Sequence, residues 1–245
     1  MKNSFKMFVM VLSTMGLAGM LKAGPPSAAD VGDAESFGHA ALYMGAASGF
    51  VTLADVCDPT PTPVPPATAN DSQCFVINPA PANTHFDAND ICRIKLPKKA
   101  TRTVIYPAVI MFVSYQLHNT TGVDQPQGRL NFTATLTVES DALLDPALID
   151  PNTGLPYNGK LEGQFPYIFR DDHNMRNGDR NNRRETLVRV GNTGLTKAQF
   201  VAQGLPASVV DAMFAGAMTI RMSVTGDAKL CESASITGNM RLFGD

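Results

Sequence analysis

The chain has no tryptophan, few charges and, beyond its first two dozen residues, no apolar run long enough to cross a bilayer. Charged residues make up 17% of it, where an ordinary globular protein has about a quarter. The 20 basic and 22 acidic side chains nearly cancel. That balance excludes a disordered polyelectrolyte, and it supplies no basic surface for nucleic acid. Cysteine is also sparse, at four residues among 245. A chain this long can bury roughly 70% of its unfolded surface, so disulfides are not needed to stand in for a core. The lack of tryptophan removes the ring most often used to stack against sugars.

What is present begins with an address. Lys2 and Lys6 form a short positive region ahead of the apolar run Met7–Leu21. That run is shorter than the ~20 residues of a bilayer span and carries Ser13, Thr14, Gly16 and Gly19. The pattern predicts a cleaved signal peptide over residues 1–29, of the short bacterial kind, with cleavage after Ala23 or Ala29. The remainder, 30–245, reads as one domain, exported to the periplasm, the extracellular space or the cell surface. Losing the leader removes Lys2, Lys6 and Lys22 and no acid. The 20 basic residues fall to 17 against 22 acidic ones, a formal charge of −5. No transmembrane segment is expected in the mature chain.

Export makes the cysteines candidates for two disulfides. The spacings of Cys57, Cys74, Cys92 and Cys231 fit neither a zinc site nor a haem motif. Three pairings exist. Cys57–Cys74 with Cys92–Cys231 is favoured because the first would close the proline-rich stretch between them. Cys57–Cys231 with Cys74–Cys92 competes.

Period-two alternation dominates the rest, the pattern of strands that bury one side and wet the other. Leu130, Phe132, Ala134, Leu136 and Val138 alternate with Asn131, Thr133, Thr135, Thr137 and Glu139. Met218–Thr225 and Ser235–Leu242 repeat the pattern. Val104–Leu117 reads as a central strand, with Pro107 near its start or at a bulge. Weaker strands fall near His39–Tyr43, Phe50–Leu53, Cys74–Ile77, Ile91–Leu96, Tyr167–Phe169 and Thr186–Val190. The fold class is therefore all-β: an antiparallel β-sandwich of about seven to nine strands. One short helical insertion precedes the last two strands. Thr196 and Gln199 have capping-box spacing and Leu195 with Phe200 that of a hydrophobic staple, so a helix should run from Lys197 to Gln203 and stop at Gly204. Pro206 suits the first turn of a second helix. Two loops are expected: a stiff proline-rich one at 58–72 and an exposed polar one at 170–185.

Motifs for chemistry are mostly missing. His39, His85, His118 and His173 share no metal-ligand spacing, and no nucleophile elbow, P-loop or dinucleotide fingerprint occurs. The best catalytic candidate is Asp171-Asp172-His173, two carboxylates and an imidazole in the polar loop. The sequons at Asn70, Asn119 and Asn131 read as coincidence beside such a leader. The reading that follows is a non-catalytic binding or assembly protein with no metal and no cofactor, meeting a protein partner or a copy of itself through a β face. Export, strand periodicity and the lack of a catalytic constellation motivate it, and the row Asn131, Thr133, Thr135 and Thr137 is the surface feature with some regularity that could pack against another sheet. A secreted hydrolase using Asp171, Asp172 or His173 is the alternative, and a glycan- or small-molecule-binding protein a further one.

Overall fold

The computed structural model describes residues 42–57, 72–191 and 194–245. The leader, with either cleavage point, lies outside these residues, as does nearly all of the proline-rich stretch.

Ten strands form two sheets packed face to face, an all-β sandwich. They are β1 (Leu42–Ala54), β2 (Ser72–Val76), β3 (Asn83–Leu96), β4 (Val104–His118), β5 (Gln125–Ser140), β6 (Lys160–Met175), β7 (Arg180–Val190), β8 (Leu195–Thr196), β9 (Met218–Lys229) and β10 (Cys231–Gly244). The six-stranded sheet runs β2-β1-β10-β4-β7, with β8 also on β4; the four-stranded sheet runs β3-β9-β5-β6. The alternation read from sequence sets which side of each strand is buried. On β5, Leu130, Phe132, Ala134, Leu136 and Val138 are buried, as are Ile220, Met222 and Val224 of β9 and Ile236, Met240 and Leu242 of β10. Each large apolar side chain so buried contributes roughly 2 kcal/mol. One cluster between the sheets collects them all.

Pro107 sits inside β4, opposite Leu242 of β10. On its other side β7 ends at the Ala108 pair and β8 begins at the Ile105 pair. The carbonyl of Pro107 accepts from Gly191 N at 2.8 Å. Its missing N–H thus falls in the break between two neighbours, where no ladder bond is lost.

Three expectations need correction. First, the pairing is not antiparallel throughout: β2 lies parallel to β1, Phe50 beside Ser72 through Ala54 beside Val76. The long excursion between Ala54 and Ser72 allows the chain to return in the same direction, which a tight hairpin could not. Second, only one disulfide forms. Cys57 and Cys74 are bonded, while Cys92 and Cys231 are free and buried. Cys92 pairs with Met222 in the four-stranded sheet and Cys231 with Leu117 in the six-stranded one, so each thiol is a small apolar filler on its own strand.

Third, the segment 170–185 is not a loop. It comprises the end of β6, a turn at residues 176–179 and the start of β7, an arch that carries the chain from one sheet to the other. Its polarity misled because β6 and β7 each have one open edge, so polar side chains there reach water without leaving the ladder. Asn119, fully buried, anchors the arch: its amide donates to the carbonyls of Met175 (3.1 Å) and Val123 (2.8 Å), and its backbone pairs with Asp179 and Gly178.

The helices match the capping pattern. Helix α1 (Lys197–Ala202) has Thr196 as its N-cap, the hydroxyl accepting from Gln199 N at 3.0 Å. Leu195 and Phe200 are both buried, and the chain leaves through Gly204 at φ +102°. Helix α2 (Ala207–Ala215) starts directly after Pro206 and buries Val210, Met213 and Phe214. It packs on the 3-10 turn Asp141–Leu143 that follows β5, covering that end of the sandwich.

Candidate functional site

The predicted Asp171-Asp172-His173 group lies on β6, opposite Leu130, Arg129 and Gly128 of β5. Strand alternation divides the three. Asp171 and His173 point between the sheets, whereas Asp172 points outward and accepts from the Asn131 amide at 3.3 Å. The same Asn131 accepts from Asp171 N at 3.0 Å. Consecutive residues in sequence are therefore not a three-group cluster in space.

The partner that completes the inner pair comes from the opposite sheet. The Tyr115 hydroxyl donates to Asp171 Oδ2, and His173 Nε2 lies 2.7 Å from the same oxygen. Tyr115 faces inward from β4, its ring edge-on to Phe169, which stacks on Phe132. Burial raises the phenol's pKa well above its ordinary range, and the Asp171 hydrogen bond and negative charge raise it further. Tyr115 is thus a neutral donor at any physiological pH, and the Asp171 carboxylate holds both ring systems in place. Sequence reasoning passed over Tyr115 as a strand residue. A tyrosine on the buried face of a central strand nonetheless needs a polar partner for its hydroxyl, and that was the available signal.

Chemically, this arrangement orients an imidazole against a carboxylate, which is half of an acid–base relay. The side chains of Asp171 and His173 are only about a quarter exposed, at 23% and 25%. Neither lines the depressions beside Lys95 and Met218, beside Tyr115 and Arg183, or beside His118 and Cys231. Among the described residues, no serine, threonine or cysteine is hydrogen-bonded to His173. The cluster fits a polar lock between the sheets.

The other described histidines also sit against carboxylates: His85 lies 3.2 Å from Asp227, and His118 3.5 Å from Glu232. Glu232 also accepts from Arg180 at 3.2 Å and from the Gln116 amide. This second group borders a cleft of about 510 Å³ lined in part by Asp55, His118, Thr120 and Cys231. Burial pushes the Cys231 thiol up to about 12, the Ser233 backbone opposing this and the charges of Asp55 and Glu232 adding to it. Burial and the charge of Asp90 likewise raise Cys92 to about 12. A thiol protonated at neutral pH is a poor nucleophile, so neither cysteine is activated. Among the described residues, no three His, Cys, Asp or Glu side chains are grouped to hold a metal ion. No described helix is long and apolar enough to cross a membrane.

The two outer faces differ. The four-stranded sheet presents Thr133, Thr135 and Thr137 beside Thr225, Ser223 and Arg221 of β9. Charges interrupt it: Arg221 pairs with Asp90 and, at 2.8 Å, with Glu139. The six-stranded sheet instead presents Phe50, Phe112, Val188 and Val190, which are 40%, 48%, 58% and 56% exposed. They are neighbours in the ladder: Phe50 and Phe112 share a row through Thr237, and Ile110 and Ala108 pair with Val188 and Val190.

No family model matches the chain, and no curated protein does. Among solved structures, a chain from the T13 IBDV viral particle aligns over 68% of this chain and 35% of its own length. The identity is 8% and the TM-score 0.14. This chain thus spans about a third of that one, and a likeness so slight carries no argument.

Proposed function

We propose that this is an exported, non-catalytic assembly protein that meets a second copy of itself through the outer face of its six-stranded sheet. One observation carries the reading: the exposed apolar side chains Phe112, Val188 and Val190 on the adjoining strands β4 and β7, with Phe50 one strand further across Thr237 of β10. Contiguous apolar surface of this kind marks an interaction site. Its central rows carry no charge; Arg184 and Arg241 stand at the borders, so an approaching copy meets no like charge in the middle. The threonine face, which sequence alone favoured, is broken by the Asp90–Arg221–Glu139 network and is the poorer candidate. Export is supported by Lys2, Lys6 and the run Met7–Leu21, and by the Cys57–Cys74 bridge, a bond that persists in oxidising compartments.

Light scattering on the mature chain across a range of concentrations tests the proposal. Mass should rise with concentration, and Phe112→Ser, at an exposed position, should shift the onset upward by roughly ten-fold without lowering the melting temperature. A strict monomer at every concentration would rule the assembly out. N-terminal sequencing of fractionated cells tests export: a mature chain should start at Gly24 or Asp30, and an intact Met1 in the cytosol would refute it.

A further inference from the structure

Sandwiches must manage the open edges of their sheets, since an unpaired edge invites another strand. Here the described edges are treated unequally. β2 is five residues long. β3 is bulged between Ala88 and Cys92, with Asp90 at φ +58°. β6 has register shifts along β5, Gly163 and Phe165 at positive φ, and Pro166. Each of these edges is short or broken.

β7 is neither. It pairs with β4 without a register shift from Arg180 to Val190 and contains no proline or glycine. Among the described residues its only neighbour in the sheet is β4. Every second residue therefore points its N–H and C=O away from the sheet. What guards this edge is charge: Arg180, Arg183, Arg184 and Arg189 against Glu185 alone. The residues opposite them on β4 are His118, Tyr115, Ser114 and Val109, none a carboxylate.

Two of these arginines are engaged. Arg180 binds Glu232, and Arg189 donates to the Pro166 carbonyl while lying 4.5 Å from the centre of the Phe165 ring. Arg183 and Arg184 form no ion pair with a described carboxylate, and both are exposed. They point to opposite sides of the strand, so a complementary partner must carry acids on both of its faces. Self-pairing is disfavoured. Antiparallel copies centred on Glu185 or Arg184 set like charges together, and the register centred on Leu187, which sets Glu185 against Arg189, would draw Arg189 from the Pro166 carbonyl and the Phe165 ring.

We propose that β7 is a strand-addition site for an extended acidic segment of a partner protein. Backbone bonds form along the free edge, and consecutive carboxylates meet Arg183 and Arg184. Beyond them, Thr186 and Val188 offer a β-branched surface to the partner's apolar half. The inference goes beyond the self-assembly reading: it uses the backbone edge of β7, of which only Val188 and Val190 also belong to the Phe112 patch.

The test is fluorescence anisotropy with the mature chain and a labelled peptide, Val-Thr-Val-Thr-Thr-Glu-Glu-Thr-Thr-Glu. Binding should weaken as salt is raised. Replacing Glu by Gln in the peptide should weaken it by roughly ten-fold, as should the Arg183→Glu, Arg184→Glu double variant. A peptide N-methylated at alternate residues, which keeps its charge but cannot pair with a strand, should bind at least as poorly. Equal binding of the Gln peptide would refute charge recognition. Equal binding of the N-methylated peptide would reduce the site to a basic patch and overturn strand addition. No binding of the acidic peptide at millimolar concentration would also overturn it. A protein that self-associates through Phe112 yet ignores the peptide would overturn this inference alone. Melting curves confirm that the arginine variant is folded, as two exposed side chains allow.

Discussion

Single side chains here tie distant parts of the chain together. Asp245 is the strongest case. Its carboxylate accepts from the hydroxyls of Thr101 (2.6 Å) and Thr103 and from backbone N–H groups of Arg102 (3.0 Å), Thr103 (2.9 Å) and Val104 (3.3 Å). Burial by itself would raise its pKa, but these donors outweigh it and hold the carboxyl well below the usual carboxylate range. The stabilisation is present above the unfolded pKa, near 4, and is lost as pH falls toward the folded value. Asp245→Asn should therefore cost about 2 kcal/mol at pH 7. Urea melts should show the gap between variant and parent shrinking once pH drops below about 4; a gap independent of pH would contradict the assignment. Tyr115 and Asp171 act in the same spirit across the sandwich, joining β4 to β6 through one hydrogen bond.

Among elements, β1 and β3 approach each other closely without being ladder partners. Gly49 lies against the backbone of Ile91, where an added methyl would fall inside the carbonyl oxygen's radius. The bulge at Asn89–Ile91 turns Ile91 fully into the core, and it is pinned by Asp90, which pairs with Arg93 at 2.6 Å and accepts from Arg221. Gly49→Ala should cost roughly 3 kcal/mol, because neither backbone can move without breaking its own ladder. A denaturant midpoint unchanged by this substitution would contradict the packing. This contact also shows where sequence reading ends. The inner rows of β5, β9 and β10 and the Thr196 cap were legible because each depends on spacing within one segment. The bulge, the parallel β1–β2 pair and the Tyr115–Asp171 bond depend on residues 40 or more positions apart in most cases, or on which strands become neighbours, and alternation carries no information about that. β7 was half legible: Thr186–Val190 reads as a strand, whereas Arg180–Glu185 hides the same ladder behind charge.

Across the whole described chain, the cysteines divide by location. One bridge ties the margin of the six-stranded sheet, and two thiols are interior filler. Under denaturing, non-reducing conditions a thiol reagent should find two reactive cysteines per chain, and in the folded protein essentially none, because burial both shields them and keeps them protonated. Four reactive thiols, or none, would contradict this division. The bridge has a second effect. Cys57 and Cys74 stand on either side of the proline-rich stretch, with Cα atoms 5.7 Å apart. β1 and β2 are thus joined by two covalent routes, one through the peptide chain and one through sulfur. A protease that severed the chain anywhere between them would leave a two-piece polypeptide still linked as one molecule. Its break would become visible as two fragments only after reduction.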